Sequence, residues 1–329
     1  MLCSNPYMKD GVPFGCGQCK GCRINKRRLW THRIMLESLC HEVSSFVTLT
    51  YNDENLPENG SLVPEHLKNF QKRIRYHANI DLRFFSVGEY GEKTQRPHYH
   101  AAVFGLPGCS SLDHRCACST CETVRRSWKK GHILAGTLTQ DSASYIAGYV
   151  TKKMTDRKPE EKYKELLRKG KKKIAEEYKT RVIDVLQGRH PEFARMSLGT
   201  PKNPNPVFHG GIGAGILPDI QDMLETQYGC DLIHALNDTP DMIKLGGKEI
   251  LLGSYLKGKL RQRIGIDEKT IQEKLSLLRQ EKIQEYLQYR QETDSLTALS
   301  QKDFLLDKHK QKVRNLHKKI SLKHNKGVL

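Results

Sequence analysis

Arg96-Pro97-His98-Tyr99-His100-Ala101-Ala102-Val103-Phe104-Gly105 sets two histidines two residues apart inside an apolar run. In an extended strand the side-chain period is 2, so His98 and His100 point to one face and Tyr99 to the other. The preceding run, Leu82-Arg83-Phe84-Phe85-Ser86-Val87-Gly88-Glu89-Tyr90, also reads as a strand. The polar segment Gly91-Glu92-Lys93-Thr94-Gln95 between them has the composition of a hairpin connection. A turn near residues 93 and 94 puts Glu89 about opposite His98. One carboxylate and two imidazoles on one face make a divalent-metal site with coordination positions left for substrate oxygens. A single strand histidine is ordinarily a core or surface residue. The doublet with Glu89 opposite shifts the reading towards metal.

Downstream, Tyr145-Ile146-Ala147-Gly148-Tyr149-Val150-Thr151-Lys152-Lys153 reads as part of a helix from Ser142 to Met154, capped by Asp141 or Ser142. Tyr145 and Tyr149 are i, i+4 and share a helical face, with Lys152 and Lys153 in the next turn. Two core aromatics with dipole-complementing lysines would give the same pattern.

Three runs taken in order carry a family resemblance. Phe46-Val47-Thr48-Leu49-Thr50-Tyr51, Pro97-His98-Tyr99-His100 and Tyr145-x-x-x-Tyr149-x-x-Lys152-Lys153 resemble the three motifs of rolling-circle replication initiators of the His-hydrophobic-His (HUH) endonuclease superfamily. The N-terminal Pro13-x-x-Cys16-Gly17-x-Cys19-x-x-Cys22-Arg23 and Trp30-x-x-Arg33 are similar to those of the gokushovirus-like microvirus branch. The resemblance covers roughly residues 1–155. It implies an α+β fold, an antiparallel sheet with flanking helices, and a DNA nickase and strand transferase. In that family pattern Mg²⁺ or Mn²⁺ sits on Glu89, His98 and His100, and Tyr145 or Tyr149 attacks a phosphodiester. Lys152 or Lys153 stabilises the charge. The product is a 5′-phosphotyrosine and a 3′-OH primer, and a second transfer rejoins the strand. Imidazole ligands favour Mn²⁺, and cellular abundance favours Mg²⁺.

The rest of the chain is read from composition. Its 329 residues carry 55 Lys and Arg against 37 Asp and Glu, a formal charge of +18, which calls for a polyanionic partner. No apolar run approaches the ~20 residues that span a bilayer. Met1-Leu2-Cys3-Ser4-Asn5-Pro6 lacks a signal-peptide pattern, so the expected location is the bacterial host cytoplasm, with no membrane partner. Clustered cysteines then point to metal rather than disulfides. Cys3, Cys16, Cys19 and Cys22 suit a structural Zn²⁺, with an iron–sulfur cluster or free thiols as alternatives. Cys109, Cys116, Cys118 and Cys121 suit a second Zn²⁺, with His114 as a substitute ligand or free thiols as the alternative.

Four regions are expected: a cysteine-rich zinc knuckle (1–23), a catalytic domain (24–155) with a cysteine-rich insertion (106–132), a basic helical and Gly/Pro loop region (156–262), and a charged helical C-terminal extension (263–329). Arg23 to Ser45 reads as one amphipathic helix with Ile24, Trp30, Ile34, Met35, Leu39 and Val43 inward. Its basic start is either a solvated face or a phosphate contact. Trp128 among Arg125, Arg126, Lys129 and Lys130 suits either base stacking or a solvated loop. Lys152 to Arg181 holds 13 Lys/Arg against 6 Asp/Glu and reads as two exposed helices. Residues 188–218 read as loop, and 219–262 as short helices and turns. The run Gly210-Gly211-Ile212-Gly213-Ala214-Gly215 has no Lys-Ser/Thr pair after it and is a poor phosphate loop. Unwinding is therefore assigned to a host helicase, and extension to a host polymerase. The partner is single-stranded origin DNA. Competing readings are a plasmid relaxase or transposase of the same superfamily, and a zinc-dependent nucleic-acid-binding protein without catalysis.

Overall fold

A computed structural model of the chain describes residues 3, 6–9, 12–91, 94–152, 159–180, 188–236, 238–292, 300, 303–304, 307 and 311. Contacts divide it into two compact units, Arg27–Asp219 and Met1–Lys26 with Ile220–Leu329. The boundary after the sheet-bearing unit thus falls well past residue 155. In chain order the elements are β1 (Tyr7–Lys9), β2 (Val12–Phe14), α1 (Lys20–Leu39), β3 (Ser44–Tyr51), α2 (Pro64–Ala78), β4 (Arg83–Tyr90), β5 (Pro97–Phe104), α3 (Ser119–Trp128) and β6 (Gly131–Thr137). Then come α4 (Gln140–Lys152), α5 (Pro159–Arg168), α6 (Lys172–Tyr178), β7 (Phe193–Met196), α7 (Leu217–Leu236), β8 (Met242–Leu245), β9 (Lys248–Leu251), α8 (Gly253–Ile264) and α9 (Glu268–Glu292).

Five strands form one antiparallel sheet in the order β6-β3-β5-β4-β7. Strand alternation sorts its side chains into two cores. Val47, Leu49, Phe84, Tyr99, Ala101, Val103, Ile133 and Ala135 face α2 and α3, meeting Leu67, Phe70, Ile74, Val124 and Trp128. Phe85, Val87, Ala102 and Phe104 face the other way, meeting Ile34 of α1 and Ala143, Ile146 and Ala147 of α4. Burying each such Leu, Ile or Phe is worth about 1.5–3 kcal/mol, so the sheet is clamped from both sides. The architecture is α+β, an antiparallel sheet with flanking helices, as the sequence implied.

Several local readings are corrected. Helix α1 stops at Leu39, and β3 begins at Ser44. Ile24, Leu39 and Val43 are exposed, because the buried stripe follows Ile34 and Leu36 instead. Trp128 is fully buried and donates from Nε1 to Thr50 O at 3.1 Å, so it is a core residue and stacks on no base. The 188–218 segment contributes β7, which pairs with β4. Its four residues, Phe193-Ala194-Arg195-Met196, are too short to show a period. Between 219 and 262 lie a 20-residue helix, α7, and the β8–β9 hairpin.

The glycine run has a packing role. Glu37 and Arg83 form a fully buried ion pair, with Arg83 Nε 2.6 Å from Glu37 Oε1. A buried pair holds only when its other polar atoms are met. Gly213 N donates to Glu37 Oε2 at 2.6 Å and Arg83 Nη2 donates to Gly210 O at 2.8 Å. Gly213 has φ +80°, and a Cβ there would stand 2.9 Å from Arg33 O, so only glycine fits.

Candidate active site

The β4–β5 ladder pairs Glu89 with His98 and Val87 with His100. That register centres the turn between residues 93 and 94. Glu89, His98 and His100 therefore project from the sheet face that α4 covers. Helix α4 starts at Gln140, and Thr139 rather than Asp141 or Ser142 caps it. Ser142 N lies 3.2 Å from Thr139 Oγ1, and Thr139 N donates back to Ser142 Oγ at 2.9 Å. This reciprocal pair fixes the start of the helix. Arg27 Nε, donating to Ser144 O at 2.9 Å and Oγ at 3.1 Å, anchors the next residues to α1.

The five groups converge on one carboxylate oxygen. Glu89 Oε1 lies 2.5 Å from His98 Nε2 and 3.1 Å from His100 Nε2, and it accepts from the Tyr145 hydroxyl at 2.7 Å. The Tyr149 hydroxyl is 3.1 Å from that of Tyr145. Glu89 is only 2% exposed, and its second oxygen, Oε2, is buried with no hydrogen-bond partner. Tyr145 is 42% exposed, which opens the cluster to solvent.

The outer ring nitrogens fix the tautomers. His98 Nδ1 lies 3.1 Å from Arg96 O, and a carbonyl only accepts, so the proton is on Nδ1. His100 Nδ1 is 2.9 Å from Thr48 Oγ1, and its ring stacks on Phe46 at 5.4 Å. Both Nε2 atoms thus aim at the carboxylate. Burial opposes charge on His98, but Glu89 at its Nε2 outweighs this and raises its pKa. Burial likewise opposes ionisation of Glu89, yet hydrogen bonds from His100, His98 and the two tyrosines hold its carboxyl well below the usual range. Burial, then the Glu89 carboxylate, pushes the Tyr149 phenol above its ordinary value.

These residues fit a divalent cation. Their ligand atoms lie within 4.8 Å of one another, and the buried Glu89 Oε2 lacks any other partner. Two cysteine sets pass the same test. Cys3, Cys16, Cys19 and Cys22 gather at the β1–β2 hairpin and the start of α1, and Cys109, Cys116, Cys118 and Cys121 gather between β5 and α3. Sγ–Sγ separations of 3.8 Å (Cys3–Cys19) and 3.5 Å (Cys109–Cys116) are far beyond a disulfide. They approach the edge of a tetrahedron built on ~2.3 Å metal–sulfur bonds. His114 is not in the second set; its Nδ1 lies 3.5 Å from Asp113.

Lys152 is the last residue of α4, but its side chain and the whole of Lys153 lie outside the described residues. Thr48, Phe46 and Arg27 were not singled out from sequence. The alternation Phe46, Thr48, Thr50 in β3, on the same face as the histidines, was the available signal for the first two. Gly253-x-x-x-x-Gly258-Lys259 has phosphate-loop spacing but lies inside α8 and runs into Leu260.

With this geometry in place, known proteins can be compared. Residues 44–154 match the family model of replication-associated proteins of the ORF2 type. That segment holds all five converging residues. Replication-associated protein ORF2 of Spiroplasma virus 4 is 37% identical over 164 residues, covering 46% of this chain and 51% of the relative. Replication-associated protein VP4 of Bdellovibrio phage phiMH2K is 34% identical, covering 43% of this chain and 49% of the relative. Replication-associated protein ORF4 of Chlamydia phage 1 is 31% identical, covering 43% and 38%. The chain spans about half the length or less of the curated relatives it matches. No solved structure matches it. Among the described residues no helix is long and apolar enough to cross a membrane.

Proposed function

We propose that this protein is a rolling-circle DNA replication initiator of HUH-endonuclease type, which nicks and rejoins a single-stranded origin. The observation that carries this reading is the placement of two phenol oxygens 3.1 Å apart, one of them 2.7 Å from the carboxylate oxygen that both imidazoles reach. The resemblance to phage replication-associated proteins supports it.

Glu89, His98 and His100 would hold Mg²⁺ or Mn²⁺. When bound, such an ion neutralises the scissile phosphate and polarises its oxygens. The chain's own groups do the rest. Arg96 O and Thr48 Oγ1 orient the imidazoles, and the rigid sheet keeps them in register. The tyrosine hydroxyl attacks phosphorus as its proton leaves. The bond from phosphorus to the 3′ oxygen breaks, and that oxygen departs as a 3′-OH. The 5′-phosphotyrosine conserves the phosphodiester, so attack by a 3′-OH reverses the step without ATP. Because the two hydroxyls touch, the second tyrosine can act on the same phosphorus site in a second transfer. Lys152 and Lys153 are assigned to charge stabilisation on the family pattern. The two cysteine sets are assigned to structural Zn²⁺. Host helicase and polymerase would supply unwinding and extension in the bacterial cytoplasm.

The test is adduct formation. A labelled single-stranded origin oligonucleotide with Mn²⁺ should give a covalent species that survives denaturant, and Tyr145→Phe combined with Tyr149→Phe should remove it. A wild-type protein that binds the oligonucleotide but never forms the adduct overturns the reading in favour of a non-catalytic binder.

A further inference from the structure

Helix α4 lies across β4, β5 and β7. On the same face, the edge of the sheet stays open. Strand register runs the site outward in two rows: Glu89, His98, Thr50, His132 in one, and Val87, His100, Thr48, Leu134 in the next. At ~4.8 Å per strand, His132 and Leu134 stand about 10 Å from the imidazoles. Both are exposed, and Leu134 belongs to neither core cluster.

The second cysteine set builds a wall beside this shelf. Cys109 N donates to Ala135 O at 2.9 Å, so the segment after β5 continues along the free edge of β6. Cys109 and Cys121 belong to the α2/α3 core, on the opposite face. Between them the chain wraps round the edge. A Cβ at Gly136, on the Leu134 side of β6, would stand 2.8 Å from Leu112 Cδ2. The His114 ring lies edge-on to His132 at 6.2 Å. Arg125 Nη2 holds this loop by donating to Cys116 O at 2.8 Å and His114 O at 3.3 Å. Leu112 is 60% exposed and has φ +50°, a left-handed conformation that leucine rarely adopts.

From this geometry we infer that the shelf of Thr48, Thr50, His132 and Leu134, walled by Leu112 and His114, is a nucleotide subsite for the unpaired DNA strand beside the scissile phosphate. The inference rests on the nicking reading for the position of that phosphate. Its occupant follows from continuity and chemistry. The shelf adjoins the phenol cluster without a break, and exposed leucines and imidazoles offer apolar and hydrogen-bonding contacts to an unstacked base. The chain's charge of +18 favours a polyanion over an apolar partner. The cysteine set thereby gains a role in recognition, since it fixes the loop that closes the shelf.

Two measurements on the full chain separate this inference from the reading beneath it. The first is fluorescence anisotropy of a labelled single-stranded dT oligonucleotide. Leu134→Glu should weaken binding at least tenfold and His132→Ala about threefold, whereas Leu277→Glu on exposed α9 should change it less than twofold. All three are surface positions, and unchanged circular dichroism melting verifies the fold. The second is adduct recovery from a pool of single-stranded oligonucleotides with randomised positions, followed by sequencing. His132→Ala and Leu134→Glu should erase base preference at positions flanking the cut, on one side of it. If wild type forms no adduct, the nicking reading fails, and the anisotropy series still judges the shelf. If binding by Leu134→Glu and His132→Ala matches wild type, or base preference is unchanged in the recovered adducts, the shelf is not a nucleotide subsite.

Discussion

His100 is held from two directions, and neither partner is a titratable group in the site itself. Its Nδ1 meets Thr48 Oγ1 at 2.9 Å, and its ring lies flat on Phe46. Outer partners of this kind fix the tautomer of a metal ligand, and removing them typically costs 10–100-fold in metal affinity. Thr48→Val keeps the shape but deletes the hydroxyl. It should weaken Mn²⁺ binding, read by titration calorimetry, by about 10–100-fold, while metal-free DNA affinity stays within about twofold. An unchanged Mn²⁺ affinity would remove Thr48 from the site. His98→Ala removes a ligand outright. It should abolish adduct formation at any Mn²⁺ concentration tested and leave oligonucleotide affinity within several-fold, because most phosphate contacts lie elsewhere. Joint loss of binding and cleavage would argue that His98 serves DNA contact or folding and not metal.

At the scale of elements, the glycine-rich segment depends on one buried ion pair. Glu37 of α1, Arg83 of β4 and the loop around Gly213 form a closed set, each polar atom answered by another. Glu37→Ala leaves the Arg83 guanidinium buried without its counter-charge, and such a loss costs about 3–5 kcal/mol. Urea denaturation should register it as a lower midpoint with little change in slope. Gly213→Ala should destabilise in the same assay, since its Cβ would meet the Arg33 carbonyl. This set also explains which parts of the structure could be read in advance. The β4–β5 hairpin was legible because period-2 alternation and one short polar turn fix the register, and the register alone brings Glu89 to His98. The tyrosine pair was legible because i, i+4 spacing fixes a shared face. The glycine segment was not, because its partners Glu37 and Arg83 are 170-odd and 130 residues distant from Gly213 and no local period encodes that closure. Strand β7 failed for a related reason: it is a strand only because β4 offers an edge. Trp128 looked like a base-stacking residue among lysines and arginines, but tertiary burial decided otherwise.

At the scale of the whole molecule, affinity and chemistry come from different places. The catalytic cluster is compact and centred on a carboxylate, and it cannot by itself attract a polyanion. The attraction must come from the excess of 55 basic over 37 acidic side chains spread along the chain. Neutralising phosphates releases counterions, and for single strands the logarithm of the binding constant falls with the logarithm of salt at a slope of about −0.7 per contact. Six phosphate contacts would give a slope near −4, so binding should drop by more than about a hundredfold between 50 and 200 mM salt. The contribution of a basic run can be read from the same plot. Lys171, Lys172 and Lys173 are exposed at the start of α6 and face solvent. If they track the backbone, replacing all three with Ala should flatten the slope by about 2. The yield of adduct at saturating DNA should stay at the wild-type level, because none of the three is in the cluster. A slope equal to wild type would make the run a solvated face and shift the electrostatic footprint to other basic residues.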